Sequence, residues 1–184
     1  MIDAALARRV RLVGLDVDGV LTDNGIYVGP VDGQAVELKR FDIQDGLGQV
    51  LLRIAGLPVV WLSGRHSEAT TVRARELRVE EVLQVPGPRK LEAFGALLER
   101  RGIGWDEAAF VGDDLADLQV LRRVGLPIAV ANAVSEVKAV ATYVTRAQGG
   151  HGAVREVAES LLKSRGVWAE LLERYFADPV PNAV

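Results

Sequence analysis

Leu12-Val13-Gly14-Leu15-Asp16-Val17-Asp18-Gly19-Val20-Leu21-Thr22-Asp23 carries a short apolar run straight into three acids. A run this short, closed by an acidic and glycine-containing end, suits a fully buried strand at the centre of a parallel sheet, so residues 10–15 are read as one. Asp16 and Asp18 then fall at its C-terminal edge, where open α/β sheets bind ligands. Two carboxylates that close repel each other unless a cation or a proton lies between them. Mg²⁺ meets that need, because it takes oxygen ligands and leaves room in its shell for a substrate phosphate. The alternative is turn chemistry, with Asp16 opening a turn and Asp18-Gly19 completing it. Taken alone the motif favours the turn; the rest of the chain reverses the balance.

The chain has 184 residues, of which 49% are hydrophobic, enough for one well-filled core, and a single domain over 1–184 is expected. A net charge of -3 argues against a general nucleic-acid binder, whose footprint should be basic. There is no cysteine, so disulfides, thiolate metal sites and thiol catalysis are excluded, and any metal is held by oxygen or by the two histidines. Residues 1–9 lack the pattern of a signal peptide and no run approaches membrane-spanning length, which makes a cytoplasmic protein without a membrane partner the expectation.

Beyond Asp23, two β-prone runs, Ile26-Tyr27-Val28 and Ala35-Val36-Glu37-Leu38-Lys39-Arg40-Phe41, flank Gly29-Pro30-Val31-Asp32-Gly33, which is read as the turn of a hairpin over 24–41. Leaving the sheet directly after the acids, it is placed either as a flap beside them or as an ordinary edge hairpin. Asp45 is expected to cap a helix whose Leu47, Val50, Leu51 and Ile54 follow helical spacing up to Gly56. Pro58-Val59-Val60-Trp61-Leu62 is a second buried strand ending in Ser63-Gly64-Arg65-His66, and a helix with Val72 and Leu77 inward follows. Ser63 is left between helix capping and phosphate binding. Lys90 opens a helix with Leu91, Phe94, Leu97 and Leu98 inward and Gly102 at its end. A helix N-terminus is partly positive, so a lysine there is better explained by a nearby anion, although a solvated lysine would tolerate the place.

Ala108-Ala109-Phe110-Val111 is a third apolar strand that runs into acids, Gly112-Asp113-Asp114-Leu115-Ala116-Asp117. Asp114 and Asp117 suit a helix N-terminus, but that role does not explain why two strands deliver paired acids to one edge. Strands around Ile128 and Val144 follow, then the loop Gly149-Gly150-His151-Gly152, a helix with Val154, Val157, Ala158, Leu161 and Leu162 on one face, and an amphipathic segment and tail over 166–184.

Strand–helix alternation implies a three-layer, Rossmann-like α/β fold: a parallel sheet flanked by helices, with right-handed crossovers that bring the strand ends to one rim. Asp16, Asp18, Ser63, Lys90, Asp113, Asp114 and Asp117 gather there. Such a set suits phosphoryl transfer: a carboxylate to attack phosphorus, a second to protonate the leaving oxygen, a cation and a lysine to neutralise charge.

With Asp16-Val17-Asp18-Gly19, Ser63-Gly64-Arg65, Lys90 and Gly112-Asp113-Asp114-Leu115-Ala116-Asp117 in this order, the chain resembles the haloacid dehalogenase superfamily of phosphatases, and in particular its small capless branch. The likeness extends to Gly25-Ile26-Tyr27-Val28, Phe41-Asp42-Ile43-Gln44-Asp45-Gly46 and Ala147 to Glu156. The resemblance implies Asp16 as nucleophile and Asp18 as general acid, with Mg²⁺ held by Asp16, the backbone carbonyl of Asp18, and Asp113. It further implies that Ser63 and Lys90 bind phosphate and that Asp114 and Asp117 support them. Arg65 and His151 are candidate contacts to the leaving group. The implied substrate is a phosphorylated sugar acid, 3-deoxy-D-manno-octulosonate 8-phosphate before a nine-carbon relative. A homotetramer is also implied, in which the hairpin and the C-terminal segment partly close a neighbour's site. The rival from another class is a non-catalytic, oligomerising accessory domain.

Overall fold

The computed structural model describes residues 1–177. Its elements in chain order are α1 (Ala4–Arg9), β1 (Leu12–Leu15), β2 (Tyr27–Val31), β3 (Gln34–Leu38), α2 (Ile43–Ile54), β4 (Val59–Ser63), α3 (Glu68–Glu76), β5 (Glu81–Gln84) and α4 (Lys90–Arg101), followed by β6 (Ala108–Gly112), α5 (Leu118–Leu121), β7 (Leu126–Ala129), α6 (Ser135–Val140), β8 (Tyr143–Val144), α7 (Ala153–Ser164) and α8 (Trp168–Ala177). Six strands form one parallel sheet in the order β5-β4-β1-β6-β7-β8, and β2 with β3 forms a separate antiparallel hairpin. The expected α/β fold is therefore present.

The chain builds the sheet outward from β1 on one side, then returns to build on the other. The strand order consequently reverses between β1 and β6, and the crevice at such a reversal is where open α/β sheets take ligands. Leu15 lies level with Trp61 of β4 and Val111 of β6, so all three strands end within about two residues of one another. Gly14 makes this centre possible, because a Cβ there would stand 2.6 Å from the Phe110 ring and 2.8 Å from that of Phe94. Phe94 instead closes over the strand, edge-on to Phe110 at 5.4 Å and to Trp105 at 5.7 Å. Burying a side chain of that size contributes about 1.5–3 kcal/mol.

Helices cover both faces of the sheet. On one, α2 packs on α7, which also holds α1 and α8; on the other, α4, α5 and α6 pack in series. Every residue of β1, β4, β6 and β7 is buried, as a central parallel sheet requires. Among the described residues no helix is long and apolar enough to cross a membrane.

Three local expectations are corrected. The hairpin turn is only Asp32-Gly33, both at positive φ (50° and 78°), and Gly29-Pro30-Val31 belongs to β2. Two left-handed residues match the twist of the flanking strands, and Pro30 is tolerated in an edge strand. Asp42, not Asp45, caps α2, accepting from Gln44 N at 2.7 Å and Asp45 N at 3.4 Å. Val72 is exposed, and α3 buries Thr70 and Ala74 instead, with Leu77 inward at its end as expected. The tail after Ala177 lies outside the described residues.

Candidate active site

Backbone pairing sets the depth of each acid at the rim. The amide of Asp16 still donates to Val111 O at 3.0 Å, so its side chain emerges where the sheet's pairing ends. The chain then wraps over the strand end, with Leu21 N and Thr22 N both donating to Val17 O. Gly19, at φ 92°, lies so close to Asp113 that a Cβ would fall 2.0 Å from its Oδ2. A glycine at this point lets the first acidic loop approach the second.

Asp16, Asp113 and Asp117 converge, with one oxygen from each within 4.8 Å of the others and all three residues buried. The ammonium of Lys90, itself buried, donates to Asp16 Oδ1 at 2.6 Å and to Asp117 Oδ1 at 2.7 Å. This is the anion that makes sense of a lysine at the first position of α4. The second oxygen of Asp117 accepts from Asp113 N at 3.1 Å, so both of its oxygens are occupied and it braces the cluster. Asp113 Oδ1 is buried with no hydrogen-bond partner.

Three buried carboxylates face one lysine, and the acidity of Asp16 and of Asp113 reflects their burial and this charge imbalance. Burial, followed by the neighbouring Asp117, holds Asp16 well above the usual carboxylate range even though Lys90 acts the other way. Burial and then Asp117 and Asp114 push Asp113 up to about 7. Burial disfavours the Lys90 ammonium, yet Asp16 and Asp117 overcome this and raise its pKa above the ordinary lysine value. An unpartnered buried oxygen, a surplus of negative charge and an all-oxygen donor set fit a small hard divalent cation.

The remaining expected residues stand around this cluster. Asp18 is partly exposed and its Oδ1 accepts from Lys39 Nζ at 2.6 Å; it is not one of the three carboxylates that converge. Ser63 ends β4, where its hydroxyl donates to Arg65 O at 2.9 Å and accepts from Arg65 N at 3.3 Å; its place is in the turn, and the cap of α3 is Ser67. Asp114 is exposed and accepts from Leu115 N at 2.7 Å, the helix-end role that the sequence offers it. Arg65 is held by both oxygens of Glu37 from the hairpin. His151 is exposed, with Nδ1 3.0 Å from Gly149 O, in a loop whose Gly149 and Gly150 pack on the backbone of Gly19 and of Thr22-Asp23.

Sequence reasoning missed Lys39, Glu37 and Asn132. Asn132 donates to Gly19 O at 3.2 Å and accepts from Gly149 N at 2.7 Å, joining the first acidic loop to the Gly149–Gly152 loop. For Glu37 and Lys39 a signal existed, since two charged residues at strand spacing share one face. What that face meets depends on the tertiary path of the hairpin.

A buried lysine shared between acids from two strand ends, at the reversal point of a doubly wound sheet, defines a class of enzyme. Residues 66–157 match the haloacid dehalogenase-like hydrolase family. The chain belongs to that family and is a phosphatase. Within it, the 3-deoxy-D-manno-octulosonate 8-phosphate phosphatase of Escherichia coli K12 is 41% identical over 162 residues, which is 88% of this chain and 84% of that protein. The crystal structure of the Moraxella catarrhalis enzyme of the same name, with magnesium, phosphate and KDO, superposes with a TM-score of 0.88 at 35% identity, covering 94% of this chain and 97% of that one. The cobalt-bound Haemophilus influenzae enzyme gives a TM-score of 0.82 at 31% identity over 91% and 99% of the two chains.

Proposed function

We propose that the protein is a Mg²⁺-dependent phosphomonoesterase that converts 3-deoxy-D-manno-octulosonate 8-phosphate to the free sugar acid and phosphate through an aspartyl-phosphate. The observation that carries this reading is the Lys90 ammonium shared by Asp16 and Asp117 beside the unpartnered oxygen of Asp113. The names and bound groups of the relatives supply the substrate.

Asp16, Asp113 and the backbone carbonyl of Asp18 would hold Mg²⁺. When bound, the ion neutralises carboxylate and phosphoryl charge, so that an anionic nucleophile can approach an anionic ester. Lys90 occupies one oxygen of Asp16 and leaves the other to attack phosphorus. As that P–O bond forms, the bond to the sugar oxygen breaks, its electron pair stays on that oxygen, and Asp18 supplies the proton. Asp18 then takes a proton from water as the water attacks the aspartyl-phosphate, and Asp16 is released with inorganic phosphate. Ser63 exchanges its bond to the Arg65 carbonyl for one to a phosphoryl oxygen, and Lys90 draws the same group inward. Asp117 keeps Lys90 in place and Asp114 ends its own turn. Arg65 and His151 are the proposed contacts to the sugar acid.

A homotetramer completes the proposal. The hairpin exposes Tyr27, Val28, Val31 and Leu38, which, with Pro30 and Val36, line an apolar depression of about 260 Å³. Contiguous apolar surface of this kind marks an interaction site. A cytoplasmic enzyme fits a chain without cysteine. Steady-state kinetics with Mg²⁺ over a panel of eight- and nine-carbon sugar acid phosphates and neutral sugar phosphates tests the substrate. The highest kcat/KM is expected for 3-deoxy-D-manno-octulosonate 8-phosphate, and a preference for neutral sugars would end the reading.

A further inference from the structure

Lys39 directly follows the return strand of an exposed hairpin, yet its side chain is fully buried. The ammonium donates to Asp18 Oδ1 at 2.6 Å and to Thr70 Oγ1 of α3 at 3.3 Å, and stands 3.9 Å from Glu37 Oε1. A buried lysine is costly without partners, so this position exists for those oxygens. Two residues earlier, Glu37 takes the Arg65 guanidinium on both oxygens and accepts from Ser67 Oγ at 2.6 Å. The hydrogen bond from Arg65, opposed by burial and aided by the Ser67 bond, brings the Glu37 pKa down to about 2. Glu37 thus fastens β3 to the start of α3, and Lys39 reaches Asp18 from an anchored strand.

We propose that Lys39 is a positioning residue for the hydrolysis: the hairpin delivers its ammonium to one oxygen of Asp18 and so turns the other toward the leaving-group oxygen. This rests on the reading of Asp18 as the proton donor. With Oδ1 engaged as an acceptor from Lys39, the proton destined for the substrate sits on Oδ2. When the phosphorus–oxygen bond breaks, the electron pair remains on the sugar oxygen, which takes that proton, and Asp18 becomes a carboxylate already paired with Lys39. The pair persists while Asp18 accepts the proton of the attacking water. Charge-assisted bonds of this kind are short and orient a carboxylate more firmly than a neutral donor. Lys39 has no role in the attack on phosphorus itself.

A dependence on the leaving group separates this role from a structural one. Alkyl phosphates need a proton donor as the ester breaks, whereas 4-nitrophenolate departs without one. In the full chain with Mg²⁺, Lys39→Met is expected to lower single-turnover phosphoryl transfer from 3-deoxy-D-manno-octulosonate 8-phosphate by ~10²-fold and from 4-nitrophenyl phosphate by less than ~3-fold. Lys39→Arg, which keeps a cationic donor, is expected to recover most of the loss. In an Asp18→Asn background, Lys39→Met is expected to add less than ~3-fold, because a residue acting through Asp18 has little left to act on. If the methionine variant does not fold, Lys39→Gln takes its place under the same criteria. Equal losses with both esters, or losses that multiply in the double variant, would overturn the role of Lys39. A wild-type protein that turned over neither ester would overturn the proposed function, and this inference with it.

Discussion

In the proposed mechanism Asp16 carries the heaviest chemical demand in the molecule, since it is buried beside two other carboxylates and has to attack phosphorus. Asp16→Asn keeps the hydrogen bonding to Lys90 within reach but removes the anionic nucleophile, and a loss of at least ~10³-fold in kcat is expected. Hydroxylamine trapping of the acyl phosphate should succeed with the wild type and fail with this variant. Near-normal turnover would require another nucleophile. As a proposed metal ligand, Asp113 would tie metal binding to pH. Its pKa, raised by burial to about 7, means that the folded protein without metal binds a proton that the unfolded chain gives up near 3.8. For an acid raised in this way, the contribution to stability falls as pH rises from 3.8 through about 7. Mg²⁺ must displace that proton, so the rise in melting temperature on adding Mg²⁺ is expected to be small near pH 5 and to grow through about 7. An Mg²⁺ effect independent of pH would contradict this assignment.

At the scale of elements, the N-cap of α7 is Gly152, which offers no side-chain cap, and the missing acceptor comes from another helix. Asp45 of α2 takes Arg155 N at 2.8 Å and Gly152 N at 3.3 Å, which secures the loop that packs on the backbone of Gly19 and of Thr22-Asp23. Asp45→Ala leaves those donors without a partner, and a loss of about 1–2 kcal/mol in denaturant unfolding is expected. Burial also raises the Asp45 pKa to about 6. Its charged form is therefore disfavoured in the fold, and Asp45→Asn should gain stability relative to wild type as pH rises through about 6. A stability difference that is flat with pH would show that the amides of α7 fully compensate the charge. The helical periodicity of α2 was legible in the sequence while the task of Asp45 was not, because the positions it meets lie more than a hundred residues away.

For the whole molecule, the apolar side chains Tyr27, Val28, Val31 and Leu38 of the hairpin stay exposed among the described residues, and their burial in the proposed homotetramer is the expected outcome. Sedimentation equilibrium of the wild type should report four copies, and Val28→Glu with Leu38→Glu should dissociate them. Both side chains are well exposed in the single chain (70% and 62%), so the substitutions leave its core intact. A stable, fully active wild-type monomer would end the tetramer proposal.

The amino-acid order alone determined the α/β sheet, the acidic strand ends and the convergence of Asp16, Lys90, Asp113 and Asp117 at one rim. Short apolar runs ending in charge suit a buried parallel strand whose last residues escape the core, and strand–helix alternation leaves one handedness for the crossovers. Local spacing could not decide which acid stands free and which braces, because Asp114 and Asp117 are equally good helix-start residues in sequence. Packing separated them: Asp117 is fully buried with both oxygens taken, whereas Asp114 remains in solvent. Only the tertiary path of the hairpin brought Lys39 to Asp18 and Glu37 to Arg65. A strand's pattern states which residues share a face, but what that face meets is set by where the chain carries it.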